Sequence, residues 1–176
     1  MLAAQAEILS SVVTSVTCIP CLHYGLMALE SLRLEKGYRD FGVDIDNTDT
    51  PLEAGLGFVA DFNKGDFVGR AALMKQKEGG ALRRRLITVK LNDPEPLLLG
   101  GEPVIVNGVS AGYVRVGAFG HTLGVSVGLL MIERDQGLTA EFVRNSTFEI
   151  EVNDRHVMAT ASLVPFYDPK SERVRA

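Results

Sequence analysis

The sequence predicts an α+β chain, helical in its first part and folded into a small antiparallel β-barrel or sandwich in its last. Two observations carry that expectation. Leu22, Leu26, Leu29 and Leu32 recur at spacings of four, three and three, which is one face of a helix. After Gly79-Gly80 the period changes to two, and five or six short strand-like runs follow, two of them joined by Asn107-Gly108. With 176 residues, 46% hydrophobic and 23% charged, the chain has the make-up of an ordinary globular protein of one domain, or of one small domain plus part of another.

The first segment, residues 1–21, is set apart by charge, since no Lys or Arg occurs from Met1 to Leu32. It has neither the positive start of a secretory signal nor the arginines of a transit peptide. The stretch from Ile8 to Leu22 is fairly apolar but interrupted by Ser and Thr, and it is shorter than the roughly 20 residues that span a bilayer. We read this segment as a non-homologous, disordered leader. Cys18 and Cys21 stand as Cys-Ile-Pro-Cys. Without a second pair or a suitably spaced His they make no zinc site, Leu22 stands where a haem attachment motif needs His, and no βαβ unit surrounds them. They read as idle thiols.

The leucine helix ends near Gly37, with Glu30, Arg33 and Lys36 off the apolar stripe. Asp44 to Pro51 reads as a polar loop. Its Asp44, Asp46 and Thr48 resemble a calcium loop, but Asp49 at the sixth position and Gly55 at the twelfth exclude one. Phe58–Phe62 is a short strand candidate. Asp66 is placed to cap a second helix over Gly69–Lys77, and Gly79-Gly80 then marks a boundary between units 22–80 and 81–176. The later strands fall at Leu86–Leu91, Val104–Val106, Ala111–Val116, Val125–Ile132, Phe148–Val152 and His156–Val164, with Asn153-Asp154 turning between the last two.

A net charge of −4 and a pI of 5.4 argue against nucleic acid as a partner. The one basic run, Arg83-Arg84-Arg85, opens a strand and points mostly into solvent; the functional alternative is an anchor for an anionic ligand or a neighbouring domain. There is no Gly-x-Gly-x-x-Gly, no phosphate loop ending in Gly-Lys-Ser/Thr and no Gly-x-Ser-x-Gly elbow. His23, His121 and His156 have no ligand spacing; of these, His121 lies in a loop, Gly120–Gly124, suited to face a ligand. The residues themselves point to no catalytic residue, no metal site and no membrane partner.

Three longer motifs carry a resemblance: Ser31-Leu32-Arg33-Leu34-Glu35-Lys36-Gly37-Tyr38-Arg39, Phe41-Gly42-Val43-Asp44-Ile45-Asp46 with Thr50-Pro51-Leu52-Glu53-Ala54-Gly55-Leu56, and Asp66-Phe67-Val68-Gly69-Arg70-Ala71-Ala72-Leu73. In this order they resemble the glycine-cleavage T-protein (aminomethyltransferase) superfamily. The pairing of Glu-Lys-Gly-Tyr-Arg with Thr-Pro-Leu-Glu-Ala-Gly-Leu, and the ending from Pro165 to Arg175, resemble the FAD-dependent dimethylglycine and sarcosine dehydrogenase branch more than the free T-protein. The resemblance runs from about Tyr24 to Ala176.

It implies the end of a folate-binding aminomethyltransferase-type domain, of helices and short strands, followed by the C-terminal β-barrel. It further implies tetrahydrofolate as cofactor, with FAD only in full-length relatives, where a flavin domain oxidises an N-methylglycine and the methyl carbon passes to the folate. The matching carboxylate segment lies outside this sequence, so no complete catalytic site is expected. Arg33 is implied as a holder of the folate glutamate tail, the alternative being an ion pair with Glu35 or Glu53. Phe41, where the free T-protein commonly has Tyr, is implied as a ring against the pterin or benzoyl group, and Tyr38 faces either pocket or core. Glu35 braces the helix. A second possibility is a non-catalytic binding or regulatory subunit of a flavoprotein complex, and a third is a gene-model fragment with a read-through leader. Relatives in eukaryotes are mitochondrial; otherwise a cytoplasmic location is implied. With no earlier lobe present, Leu26, Leu29 and Leu32 would lack packing surface, and the first half would be less protected than the barrel.

Overall fold

The computed structural model describes residues 25–175. The leader, both cysteines, His23 and the Leu22 end of the first helix lie outside the described residues. In chain order the elements are helix α1 (Leu26–Lys36), a 3-10 turn (Gly57–Val59), α2 (Arg70–Glu78), β1 (Arg84–Leu91), β2 (Pro103–Val106), β3 (Val109–Gly120), β4 (Val125–Glu133), α3 (Ala140–Asn145), β5 (Phe148–Val152) and β6 (Arg155–Ser162).

The six strands close into an antiparallel barrel in the order β1-β4-β3-β2-β5-β6, with β6 pairing back onto β1 from Thr88↔Ser162 to Leu91↔Ala159. Closure leaves no unpaired edge in the sheet. The two tight hairpins follow from turn residues that accept positive φ: Asn107 and Gly108 at φ 52 and 79, then Asn153 and Asp154 at φ 50 and 59. The interior holds Ile87, Val89, Leu91, Val104, Val114, Leu130, Ile132, Phe148 and Ile150. Leu98, from the β1–β2 connection, plugs it and is fully buried. Gly117 leaves room for Leu98, because a Cβ there would overlap it, and Gly128 leaves room for the Val116 carbonyl across the β3–β4 ladder.

β4 is buried on both faces. Leu130 and Ile132 point inward, while Val127, Leu129 and Met131 join Leu86, Val116 and Leu34 of α1 in a second cluster on the outside of the barrel. This is why the run reads as unbroken apolar sequence rather than as alternation. Helix α1 packs on β3 and β4 through this patch. It ends where expected: Gly37 takes φ 68, its N–H donates to the Leu34 carbonyl and that of Tyr38 to the Arg33 carbonyl, a left-handed stop that glycine allows.

Two sequence expectations are corrected. Phe58–Phe62 is not a strand: Gly57–Val59 forms a 3-10 turn, and with Phe58 83% exposed no neighbouring ladder holds it. Asp66 does not cap α2. Gly69, at φ 89, precedes the helix with no side-chain cap, and the Asp66 carboxylate accepts instead from the N–H of Phe67. The six-residue α3, capped by Thr139 accepting from the Phe142 N–H, adds a short helix between β4 and β5.

Gly112 adopts φ 151, and a Cβ there would overlap the Met131 carbonyl oxygen across the β3–β4 ladder. Gly112→Ala is therefore expected to lower stability by about 2 kcal/mol, within the usual cost of forcing atoms into packed space. The check is a fall in urea midpoint at unchanged m value.

Candidate functional site

The polar residues of α1 face the barrel and the leucine stripe faces away. Ser31, Arg33, Glu35 and Lys36 are buried with Leu34, whereas Leu26 and Met27 are exposed by more than three quarters and Leu32 by about half. A helix buried through its polar side needs a partner for every group it buries, and each has one.

Arg33 places its guanidinium edge on the carboxylate of Asp44, which is fully buried, with Nη1···Oδ2 at 2.7 Å and Nη2···Oδ1 at 3.0 Å. Its Nε donates to Glu30, Nη1 also to the Tyr38 carbonyl, and Nη2 lies 2.6 Å from Glu30. Four of the five guanidinium donors are thus taken inside the chain, and the Nη2 edge also lies against Glu30 as an ion pair. Burial opposes the charge on Arg33, but the bonds to Asp44 and Glu30 outweigh it and raise the pKa. The partners are Asp44 and Glu30, not the Glu35 or Glu53 considered from sequence. Glu35 braces the fold: its Oε1 accepts from the N–H groups of Thr122 and Leu123, tying the His121 loop to α1. Lys36 holds the C-terminal segment through Asp168 at 3.0 Å and Ser171 at 3.0 Å.

Asp44 also accepts from the Asp40 N–H, and so closes the turn after α1. Further along this loop, Asp49 takes hydrogen bonds from Arg115 (2.5 Å) and Arg84 (2.8 Å) on the barrel wall, and the Leu86 N–H donates to the Glu53 carbonyl. Loop 38–56 is therefore fastened at both ends. Arg84, read as part of a solvated run, is one of its fasteners. Arg83 does lie in solvent, beside Asp135.

On the outer side of this lock, Phe41 is 71% exposed and Tyr38 53%. Tyr38 is not a core residue. It lines a cleft of about 550 Å³ with Arg39, Leu56, Phe58 and, from the tail, Leu163 and Pro165. His121 is exposed with its ring edge-on to Phe119 at 5.2 Å, and His156 pairs with Glu149 on the barrel surface. Among the described residues no group of His, Cys, Asp and Glu is arranged to hold a metal ion, and no helix is long and apolar enough to cross a membrane.

A closed barrel carrying a helix and loop locked from behind by ion pairs, with an apolar and aromatic outer face, defines the class of module to which the described residues belong. The comparisons give the class its name. The family model for the glycine cleavage T-protein C-terminal barrel domain matches residues 84–168, and that for the GCVT N-terminal domain matches residues 4–64. The chain belongs to the glycine-cleavage T-protein (aminomethyltransferase) superfamily. The second match begins inside the segment 1–21 that its lack of basic residues sets apart.

The 4-methylaminobutanoate oxidase (formaldehyde-forming) of Paenarthrobacter nicotinovorans is 41% identical over 86% of this chain and 18% of the oxidase. An aminomethyltransferase of Exiguobacterium sibiricum is 34% identical over 95% of this chain and 43% of its own length. Mitochondrial sarcosine dehydrogenase of Mus musculus is 36% identical over 86% and 16%. The fold is that of glycine cleavage system aminomethyltransferase T from Bartonella henselae, with a TM-score of 0.74 over 94% of this chain and 45% of that one, at 22% identity. The chain spans less than half the length of each of these relatives.

Asp44→Asn removes the buried counter-charge of Arg33, leaving only the partly exposed Glu30, and is expected to cost about 3 kcal/mol, measured by thermal or urea unfolding. A second expectation concerns acid. Burial pushes the Asp168 carboxyl up, but the bonds from Lys36 and from the N–H groups of Arg173 and Glu172 outweigh it and leave the pKa lowered. A lowered carboxylate stabilises the fold above its ordinary value, about 3.9, and loses that contribution as pH falls through the lowered one. Amide protection factors in residues 165–173 are therefore expected to hold at pH 5 and to fall below about pH 4, ahead of those of the barrel strands.

Proposed function

We propose that this chain forms the C-terminal, folate-facing part of a dimethylglycine/sarcosine dehydrogenase-like protein, whose full-length relatives oxidise an N-methylglycine and transfer the one-carbon unit to tetrahydrofolate. Tyr38 and Phe41 offer their rings to the pterin and benzoyl groups. Arg33, whose donors are spent on Asp44 and Glu30, serves the site by fixing the loop that carries both rings. The observation that carries the reading is the reversed helix: large apolar and aromatic side chains held in water by a lock of buried ion pairs behind them, Arg33 on Asp44 and Arg115 on Asp49. The likeness to aminomethyltransferases and to a sarcosine dehydrogenase supports the same chemistry. FAD belongs to the separate flavin domain of full-length relatives, in line with the lack of a dinucleotide fingerprint here.

The same outward stripe, Leu26, Met27, Leu29 and Leu32, also favours a second reading, a binding or regulatory subunit docked on a flavoprotein. Co-purification of a flavoprotein with the chain, together with no affinity for tetrahydrofolate, would select that reading.

Titration of the chain with tetrahydrofolate under anaerobic conditions tests the first. Saturable binding is expected, weakened about three- to tenfold by Phe41→Ala and by Tyr38→Ala, the range that one aromatic contact of about 0.5–1.5 kcal/mol supplies. Both side chains are exposed, so the variants should keep the wild-type melting temperature. Unchanged affinity in both would refute the assignment. The chain alone is expected to show no flavin reduction on addition of sarcosine.

A further inference from the structure

The basic run that opens β1 is only partly spent on structure. Arg83 has Asp135 and Arg84 has Asp49, but Arg85 has no hydrogen bond and no carboxylate partner among the described residues. It is half-buried, and its Nε is shielded from water without an acceptor. A half-buried guanidinium with no counter-charge, whose shielded Nε lacks an acceptor, is costly, and the space in front of it is not filled by protein. Arg85 lines a cleft of about 570 Å³ between the 52–58 turn, the end of α2 and the start of β1.

The lining of the cleft specifies an occupant. Lys77, at the C-terminal end of α2, brings a second positive charge, with its Nζ 4.7 Å above the ring of Phe62 rather than on a carboxylate. Thr139 spends its hydroxyl lone pair on the Phe142 N–H and keeps its proton to donate. Leu52, Phe58 and Leu82 supply apolar wall. The size is that of a site for a small molecule. We propose that this cleft binds a small organic oxyanion, a carboxylate or phosphate monoester with a compact apolar body, held by Arg85 with Lys77 as auxiliary charge.

The charge balance on the inner side agrees. Burial lowers the pKa of Arg85. Arg39, lowered first by its own burial and supported by Asp44, is lowered further by the charge of Arg85, so the two arginines repel across the turn. An anion in the cleft would relieve both effects. The cleft adjoins the Tyr38 cleft, sharing Gly55 and Phe58 with it, but neither Tyr38 nor Phe41 lines it, and the proposal does not depend on the folate reading. The rival occupant of Arg85, a carboxylate from another polypeptide, would leave small anions without affinity.

Calorimetric titration of the 176-residue chain with phenyl phosphate at 0.15 M salt tests the proposal, with amide chemical shifts recorded in parallel. Saturable binding is expected, with shifts concentrated in residues 52–58 and 80–86. Inorganic phosphate, lacking the apolar body, is expected to bind more weakly. Arg85→Gln should weaken phenyl phosphate roughly tenfold or more, and Lys77→Gln, an exposed position that leaves the fold intact, about threefold. Lack of saturation up to about 20 mM, an affinity too weak to count as a site, would overturn the proposal. Shifts that map elsewhere, or a folded Arg85→Gln chain that binds as the wild type does, would overturn it equally. Should Arg85→Gln fail to fold, the shift map and Lys77→Gln decide.

Discussion

The bidentate pair between Arg33 and Asp44 is the constraint on which the ligand-facing half of this molecule depends. It joins the last turn of α1 to the loop that follows, across the left-handed stop at Gly37, and it is almost wholly out of water. Its contribution to net stability is small by physical expectation, because two desolvated charges recover little more than they lose. What it supplies is position. With Asp44 fixed, the chain from Asp40 to Ile45 turns tightly, and Asp49 is delivered to Arg84 and Arg115 on the barrel wall. A hydrophobic contact in the same place would let the loop slide; a planar fork against a carboxylate does not.

That fixing explains why α1 turns its leucines outward. The external apolar patch of the barrel is shared by Leu34 with Ile45 and Leu123, and beside it stand carbonyls and amide groups, such as the Phe119 carbonyl taken by Ser31 and the N–H groups of Thr122 and Leu123 taken by Glu35. The polar side of the helix is complementary to this rim, and the apolar side is not. The outcome is a surface of Leu, Met and Phe kept in place by electrostatics from behind, the reverse of the usual arrangement of a surface helix.

The barrel was legible because its strands obey local rules. Phe148–Val152 alternates and was read to the residue, and the Asn-Gly and Asn-Asp pairs announced their turns. Strand β3 was read short because bulging between Val114 and Val116 breaks its alternation. The Phe58–Phe62 segment misled because aromatic residues beside glycines look like a strand when the missing neighbour strand is out of view. The orientation of α1 was not legible from periodicity alone: the moment of a helix tells which side is apolar, not which side is covered. The partner of Arg33 lies eleven residues away across two glycine turns, so nearer acids such as Glu35 looked equally suitable. Arg85 was visible only as one member of a basic run, and what distinguishes it from Arg84 is the company each keeps in three dimensions.

Strands β1 and β6 lie side by side, running in opposite directions, with Thr88 opposite Ser162. The polypeptide thus enters and leaves the barrel at neighbouring points. A unit whose two ends meet can be spliced into, or appended to, many different host architectures without reshaping either one. That geometry suits a domain recurring in polypeptides as unlike in length as an aminomethyltransferase and a far longer 4-methylaminobutanoate oxidase.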